Sequence, residues 1–280
     1  MKIRLGPSGI PISCKGKSSV EGVKTVSELG LNAMEISFTH GIHMSLETAK
    51  KIGEVAKDLD VELSIHVPYF VNLASEKKKV VKDSKKRIID SLERGNIMNA
   101  TVVAVHAGYY GKDKERADKM IFEACKEIND NIKKNKLDVD FGMETMGKQK
   151  SWGTLDEIIK ICKKLKNVIP YLDPAHIYAR NGGNVNYKEI FDKLKILKLK
   201  KYHSHFSGIK YSLVGIGRGN ERHHVPMREA GPDFEPFAKE ILKRKTDITI
   251  ISESPILEQD SLLMKKIFEK LGYRFNRDKT

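Results

Sequence analysis

Eight times along the chain, a short run of apolar and β-branched residues gives way to a longer stretch with helical period. The short runs lie near 2–6 (KIRLG), 33–38 (AMEISF), 61–66 (VELSIH), 101–106 (TVVAVH), 138–144 (DVDFGME), 168–173 (VIPYLD), 200–207 (KKYHSHFS) and 247–253 (DITIISE). Amphipathic stretches follow them near 19–29, 45–59, 76–98, 112–135, 155–166, 186–198, 233–244 and 258–271. Strict strand–helix alternation implies parallel strands, because an intervening helix returns the chain to the same end of the sheet. Eight such units make a single (β/α)8 TIM barrel, with a doubly wound open sheet as the alternative. Ser18-x-x-Glu21 and Thr154-x-x-Glu157 read as capping boxes, and Gly30 and Gly272 sit where helices end. The connection spanning about 208–232 is the one long one and carries Gly208, Gly215, Gly217 and Gly219; loops of that length usually cover a site or bind something.

No linker, repeat or low-complexity segment divides the chain, so residues 1–280 read as one domain, expected to be a monomer. No apolar run approaches the roughly 18 residues of a membrane span, and the opening MKIRLGPSGIPISCKGKSS lacks the apolar stretch of a signal peptide. Three cysteines without a C-x-x-C pair exclude a cysteine zinc site and suit a reducing, cytoplasmic setting. Lys plus Arg number 51 against 37 Asp plus Glu, a formal charge of +14. That surplus favours polyanions, nucleic acid first, over a merely lysine-rich surface, because glutamate does not keep pace with lysine.

The strand ends carry the chemistry. In order they present His66, His106, Glu144, Asp173 with His176, His205 and Glu253, while the long connection adds Glu221, His223 and His224. In an α/β barrel these ends converge on one face. One histidine there is ordinarily structural, but six successive ends bearing His, Asp or Glu are costly to bury unless paired or bound to cations. Mixed imidazole and carboxylate donors suit Zn2+, with Mn2+ or Fe2+ also compatible. So many candidates suffice for two or three ions, and closely spaced metals serve phosphoester hydrolysis. A basic chain with such a pocket points to a nucleic-acid phosphodiester.

The motifs HVPYFVNLAS (66–75), VHAG (105–108), METM (143–146), DPAHIYARNGG (173–183), HFSG (205–208), ERHH (221–224) and ISESP (251–255) together resemble the endonuclease IV family of apurinic/apyrimidinic endonucleases. The family fold is a (β/α)8 barrel. The resemblance implies three zinc sites: the first held by His66, His106 and Glu144; the second by a bridging Glu144 with Asp173, His205 and Glu253; the third by His176, Glu221 and His223. It implies a DNA-repair hydrolase acting on double-stranded DNA at abasic sites. A zinc-bound hydroxide, with Glu144 at its centre, would cleave the phosphodiester 5′ to the lesion, leaving a 3′-hydroxyl and a 5′-deoxyribose phosphate. Tyr69 and Phe70 match an aromatic–apolar pair pushed into the duplex, and Asn72 matches a position beside them. Arg180 and Arg222, with Lys148, Lys210 and Arg218, are candidates for phosphate contacts.

The departures from that family are specific. Glu221 replaces an aspartate, Phe70 a leucine, and FTHGIHMS lacks the usual basic lesion-reading loop, for which His40 or His43 would substitute. His203 and His205 face the same side of their strand, and HFSG selects His205 as the ligand; His224 reads as supporting or solvent-facing. A metal-dependent sugar isomerase or epimerase of the xylose-isomerase-like barrel group stays open as the rival. Glu144, Asp173, His205 and Glu253 would serve it, whereas His66, His106, the Glu221–His223 segment and the +14 charge would lack a purpose.

Overall fold

The computed structural model of the chain describes residues 1–39 and 41–275. Eight of its strands form one parallel sheet: β1 (Ile3–Pro7), β2 (Ala33–Ser37), β3 (Glu62–His66), β4 (Val102–Val105), β5 (Asp140–Glu144), β6 (Val168–Leu172), β7 (Tyr202–Phe206) and β10 (Ile248–Ser252). Their order is β1-β10-β7-β6-β5-β4-β3-β2, so β1 and β2 are the two edges of a rolled sheet. The edges meet: Asn32 N–H donates to Leu5 O at 3.1 Å, and a parallel bridge joins Ser8 to Glu35. Gly6 makes this seam possible, since a Cβ there would lie 1.6 Å from Ala33 O. The expected (β/α)8 barrel is therefore what forms, nearly closed, and the open-sheet alternative is excluded. Strand bounds fall within two residues of those read from the sequence.

The helices are α1 (Ser19–Glu28), α2 (Leu46–Asp58), α3 (Lys78–Met98), α4 (Lys114–Asn135), α5 (Leu155–Cys162), α6 (Pro174–Arg180), α7 (Tyr187–Leu194), α8 (Phe234–Arg244) and α9 (Glu258–Lys270). Both capping boxes form, at the starts of α1 and α5. Period-two alternation along the strands separates two apolar layers. Val103 and Val105 join the main core with the helices, whereas Val102, Ala104, Ile169 and Tyr171 form a separate cluster. Glu62, at the start of β3, gathers Arg4, Lys201, Thr101 and Thr249 into a polar network remote from the strand ends that carry the candidate ligands.

Two elements differ from the sequence expectation. Residues 208–232 are no simple loop: β8 (Gly208–Gly215) and β9 (Arg218–Val225) pair as an antiparallel hairpin. Its glycines mark the turn, where Gly217 adopts φ +64°, and a two-stranded ribbon with little apolar alternation has no strand signature. The second is α6, a short additional helix between β6 and α7. Seven residues are too few for a visible period, yet Asp173 caps it, accepting the His176 N–H at 2.8 Å, and Pro174 takes its first turn.

Candidate metal centre

Glu144, at the end of β5 and 1 % exposed, is the hub of the strand-end cluster. Four imidazoles surround its carboxylate: His66 Nε2 at 3.3 Å, His106 Nε2 at 3.0 Å, His176 Nδ1 at 3.3 Å and His205 Nδ1 at 3.1 Å. Each ring is aimed by a different piece of chain. His66 Nδ1 is tied to Val67 O at 2.8 Å, which turns Nε2 to the centre. His176 Nδ1 lies 2.9 Å from Thr145 O and 3.4 Å from Asp173 Oδ2, because the Asp173 cap fixes the first turn of α6. Glu253 Oε1 approaches His205 Nδ1 at 3.4 Å.

Three overlapping donor groups result, each with ligand atoms within 4.8 Å of one another: His66, His106 and Glu144; Glu144, Asp173, His205 and Glu253; Asp173, His176 and His224. The first two coincide with the sets that the resemblance implied. The third differs from the set that the resemblance implied. His223 is exposed, and the ring facing His176 is that of His224, with centroids 5.2 Å apart. The cause is a β-bulge. Lys210 pairs with His223 but Tyr211 pairs with Glu221, so Arg222 is the extra residue on β9. A bulge shifts the side-chain alternation by one, and Glu221 and His224 then point to the same face. Glu221 Oε2 stands 3.4 Å from His176 Nε2, its Oε1 3.4 Å from Lys148 Nζ. His224 is held by Ser207 Oγ at 2.6 Å and lies 3.6 Å from Glu253 Oε2.

Charge organises the cluster. Burial alone would raise the Glu144 pKa, but His106 and His205 hold it well below the carboxylate range. Burial opposes protonation of His66, yet hydrogen bonding and charge from Glu144 bring its pKa up to about 9. His176 and His205 are likewise raised by neighbouring carboxylates against burial. Asp173 goes the other way: burial, aided by Glu144 and Glu253, pushes its pKa up despite His176. The donor set fits divalent cations, and the orphaned atoms say where. Asp173 Oδ2, His106 Nε2 and Glu221 Oε2 are buried and lie 3.0–3.4 Å from charged neighbours without hydrogen-bond geometry to any of them. All three point into the cluster, and a bound cation would satisfy them.

The remaining sequence candidates divide. Tyr69 and Phe70 are 62 % and 63 % exposed, so the alternative that both are core is excluded; the Tyr69 ring lies 5.9 Å from that of His66. Asn72 is half-buried, its Oδ1 accepting the Ala74 N–H at 3.1 Å, which shapes the loop behind that pair. Arg222 is exposed on the hairpin, its Nε 3.2 Å from Ser212 Oγ. Arg180 is not free for a phosphate. Its guanidinium donates to the carbonyls of Met146 (3.3 Å), Lys148, Gln149 (3.4 Å) and Ser151 (3.0 Å) and to Tyr110 OH (3.2 Å), bracing the loop after β5. His43 is exposed, and His40 lies outside the described residues. His203 is buried below the cluster, where burial and Lys201 lower its pKa to about 4.

Sequence reasoning missed Glu35. It is fully buried in β2, with His205 Nε2 at 3.0 Å and 3.1 Å from its two oxygens. Burial would raise its pKa, but His205 draws it down to about 2. The available signal was a lone carboxylate inside the apolar run AMEISF, which must be compensated if the strand is buried on both faces.

Fold and site together describe a (β/α)8 barrel whose buried His, Asp and Glu clusters are able to bind metal ions. The family profile described as xylose isomerase-like TIM barrel matches residues 23–268, and the chain belongs to that family. An uncharacterized protein of Methanocaldococcus jannaschii is 33% identical over 275 residues, covering 95% of this chain and 97% of its own. A probable endonuclease 4 of Cenarchaeum symbiosum is 24% identical over 208 residues, 69% of this chain and 71% of its own. Among solved structures, endonuclease IV from Thermus thermophilus superposes with a TM-score of 0.68 at 18% identity, covering 94% of this chain and 98% of its own. A D-tagatose 3-epimerase-like protein superposes with a TM-score of 0.70 at 20% identity, covering 96% of each chain. At those identities the two structures speak for the fold alone. No helix among the described residues is long and apolar enough to cross a membrane.

Proposed function

We propose that the chain is a zinc-dependent endonuclease that cleaves duplex DNA 5′ to abasic sites. The observation that carries this reading is the third donor group. An epimerase centre is served by Glu144, Asp173, His205 and Glu253, yet this chain also gathers His66, His106, His176, Glu221 and His224 around the same carboxylates. Divalent ions held there would acidify a water and neutralise charge developing on a phosphodiester. The protein supplies the rest. Glu144 holds the first two donor groups in register, and buried carboxylates keep the imidazoles turned inward. Tyr69 and Phe70 stand exposed, the Tyr69 ring 5.9 Å from that of His66, and would enter the base stack at a lesion. Lys148, Lys210, Arg218 and Arg222 lie on the loop after β5 or on the hairpin that roots in the site, where they meet the backbone of a polyanion; Lys148 is 3.4 Å from Glu221.

The test is incision of a duplex containing one tetrahydrofuran abasic analogue, with metal content measured on the same preparation. A nick leaving a 3′-hydroxyl, and two to three zinc ions per chain, is the expected result. His106→Ala should abolish incision while the fold persists. One ion per chain with no nicking would move the assignment to a metal-dependent sugar isomerase or epimerase; a D-psicose 3-epimerase is among the structural neighbours.

A further inference from the structure

Glu35 has no exposed surface and sits under the cluster, on a strand that contributes none of the donor groups. Three hydroxyls point at its carboxylate: Ser8 Oγ at 2.9 Å from Oε1, and Ser64 Oγ and Tyr171 OH each at 3.1 Å from Oε2. The fourth partner is His205 Nε2, which both oxygens approach. An ionised carboxylate only accepts, so every group facing it must donate, and the His205 proton belongs on Nε2. The opposite ring nitrogen then faces Glu144 Oε1 at 3.1 Å and Glu253 Oε1 at 3.4 Å. Two carboxylate oxygens repel a bare imidazole lone pair, so either a second ring proton or a metal ion must lie among them, and a divalent cation takes the proton's place. The ring is not free to turn away, because it stacks on His66 at 5.8 Å and tilts against Tyr171 at 4.5 Å.

We infer that Glu35 is the positioning residue of the second donor group: it holds His205 as the tautomer protonated on Nε2 and presents the Nδ1 lone pair to a divalent cation shared with Glu144, Asp173 and Glu253. The burial of Glu35 is otherwise unaccounted for. A core position of this kind is better filled by an apolar side chain unless the charge acts on something. A carboxylate behind a ligating imidazole fixes the ring and raises its basicity, and loss of such a partner typically weakens metal affinity about 10- to 100-fold. The inference rests on the metal-binding part of the function proposed above and is indifferent to whether the substrate is DNA or a sugar.

The experiment compares Glu35→Gln, Glu35→Asp and His205→Ala with the full wild-type chain, titrating the metal-free proteins with Zn2+ and with Co2+ as a spectroscopic probe. Glu35→Gln conserves size but removes the charge, and its amide can donate to His205 Nε2. The expected result is a fall of about 10- to 100-fold in affinity for one ion of the set. Partial recovery is expected in Glu35→Asp, and no additional loss when Glu35→Gln is combined with His205→Ala. Nitrogen-15 histidine spectra of the zinc-loaded wild type should show His205 protonated on Nε2, a measurement that needs no variant to fold. Unchanged zinc affinity in Glu35→Gln, or a His205 proton on Nδ1, would overturn the inference. A wild-type protein that fails to incise abasic DNA while these metal effects persist refutes the nuclease reading and leaves this one standing.

Discussion

The His224 ring faces that of His176 with centroids 5.2 Å apart, while His223, its neighbour on β9, is exposed. One extra residue in the strand, Arg222, exchanges which imidazole enters the site. His224→Ala should therefore lower affinity for one metal ion at least about tenfold, with a matching loss of incision. His223→Ala should leave both within about twofold. Metal titration of the two variants side by side checks this, and equal behaviour would place the bulge elsewhere.

Tyr69 and Phe70 project from the loop after β3 with most of their surface exposed, and the Tyr69 ring lies 5.9 Å from that of His66. Aromatic contacts with unstacked bases contribute about 1–3 kcal/mol each. Tyr69→Ala should accordingly reduce preference for abasic over intact duplex by about tenfold or more, read as a ratio of dissociation constants. A proportional loss on both duplexes would reject insertion at the lesion.

Arg180 acts as a brace within the fold. Its donors satisfy carbonyls of residues 146–151, the loop on which Glu221 N–H also closes through Gly147 O. Removing a donor from a part-buried carbonyl costs about 1–3 kcal/mol. Arg180→Ala should thus reduce unfolding free energy by at least about 2 kcal/mol in urea. The salt dependence of DNA binding should keep its slope, because no phosphate contact is removed. A shallower slope at unchanged stability would restore the phosphate role.

Asp140 opens β5, and burial together with Asp138 raises its pKa from 3.8 to about 6. A carboxyl whose folded pKa exceeds its unfolded value destabilises as it ionises. The penalty is absent below pH 3.8, grows through the interval to about 6 and is complete above it. Asp140→Asn should raise stability at pH 7 by about 1–3 kcal/mol and leave it nearly unchanged at pH 4. Thermal unfolding of both proteins across that range measures the difference; a gain that persisted at low pH would assign it to packing instead.

Much of the barrel is legible in the sequence because its signals are local. Strand and helix periods, capping boxes and turn glycines act over a few neighbouring residues, so KIRLG, TVVAVH and DITIIS declare themselves without reference to one another. The donors at the strand ends are legible too, since parallel strands of one barrel must present their C-terminal ends on one face. What the tertiary structure alone decided depends on pairs remote in the chain or on a register step of one residue. Glu35 and His205 are 170 positions apart, and only barrel closure makes an acid in one apolar strand the partner of an imidazole in another. The Arg222 bulge is a pairing event between β8 and β9 with no signature in either strand. Arg180 looks like any exposed cation until five backbone and hydroxyl acceptors fold around it. Local pattern sets the direction of the backbone, and long-range packing chooses which side chain each polar atom meets.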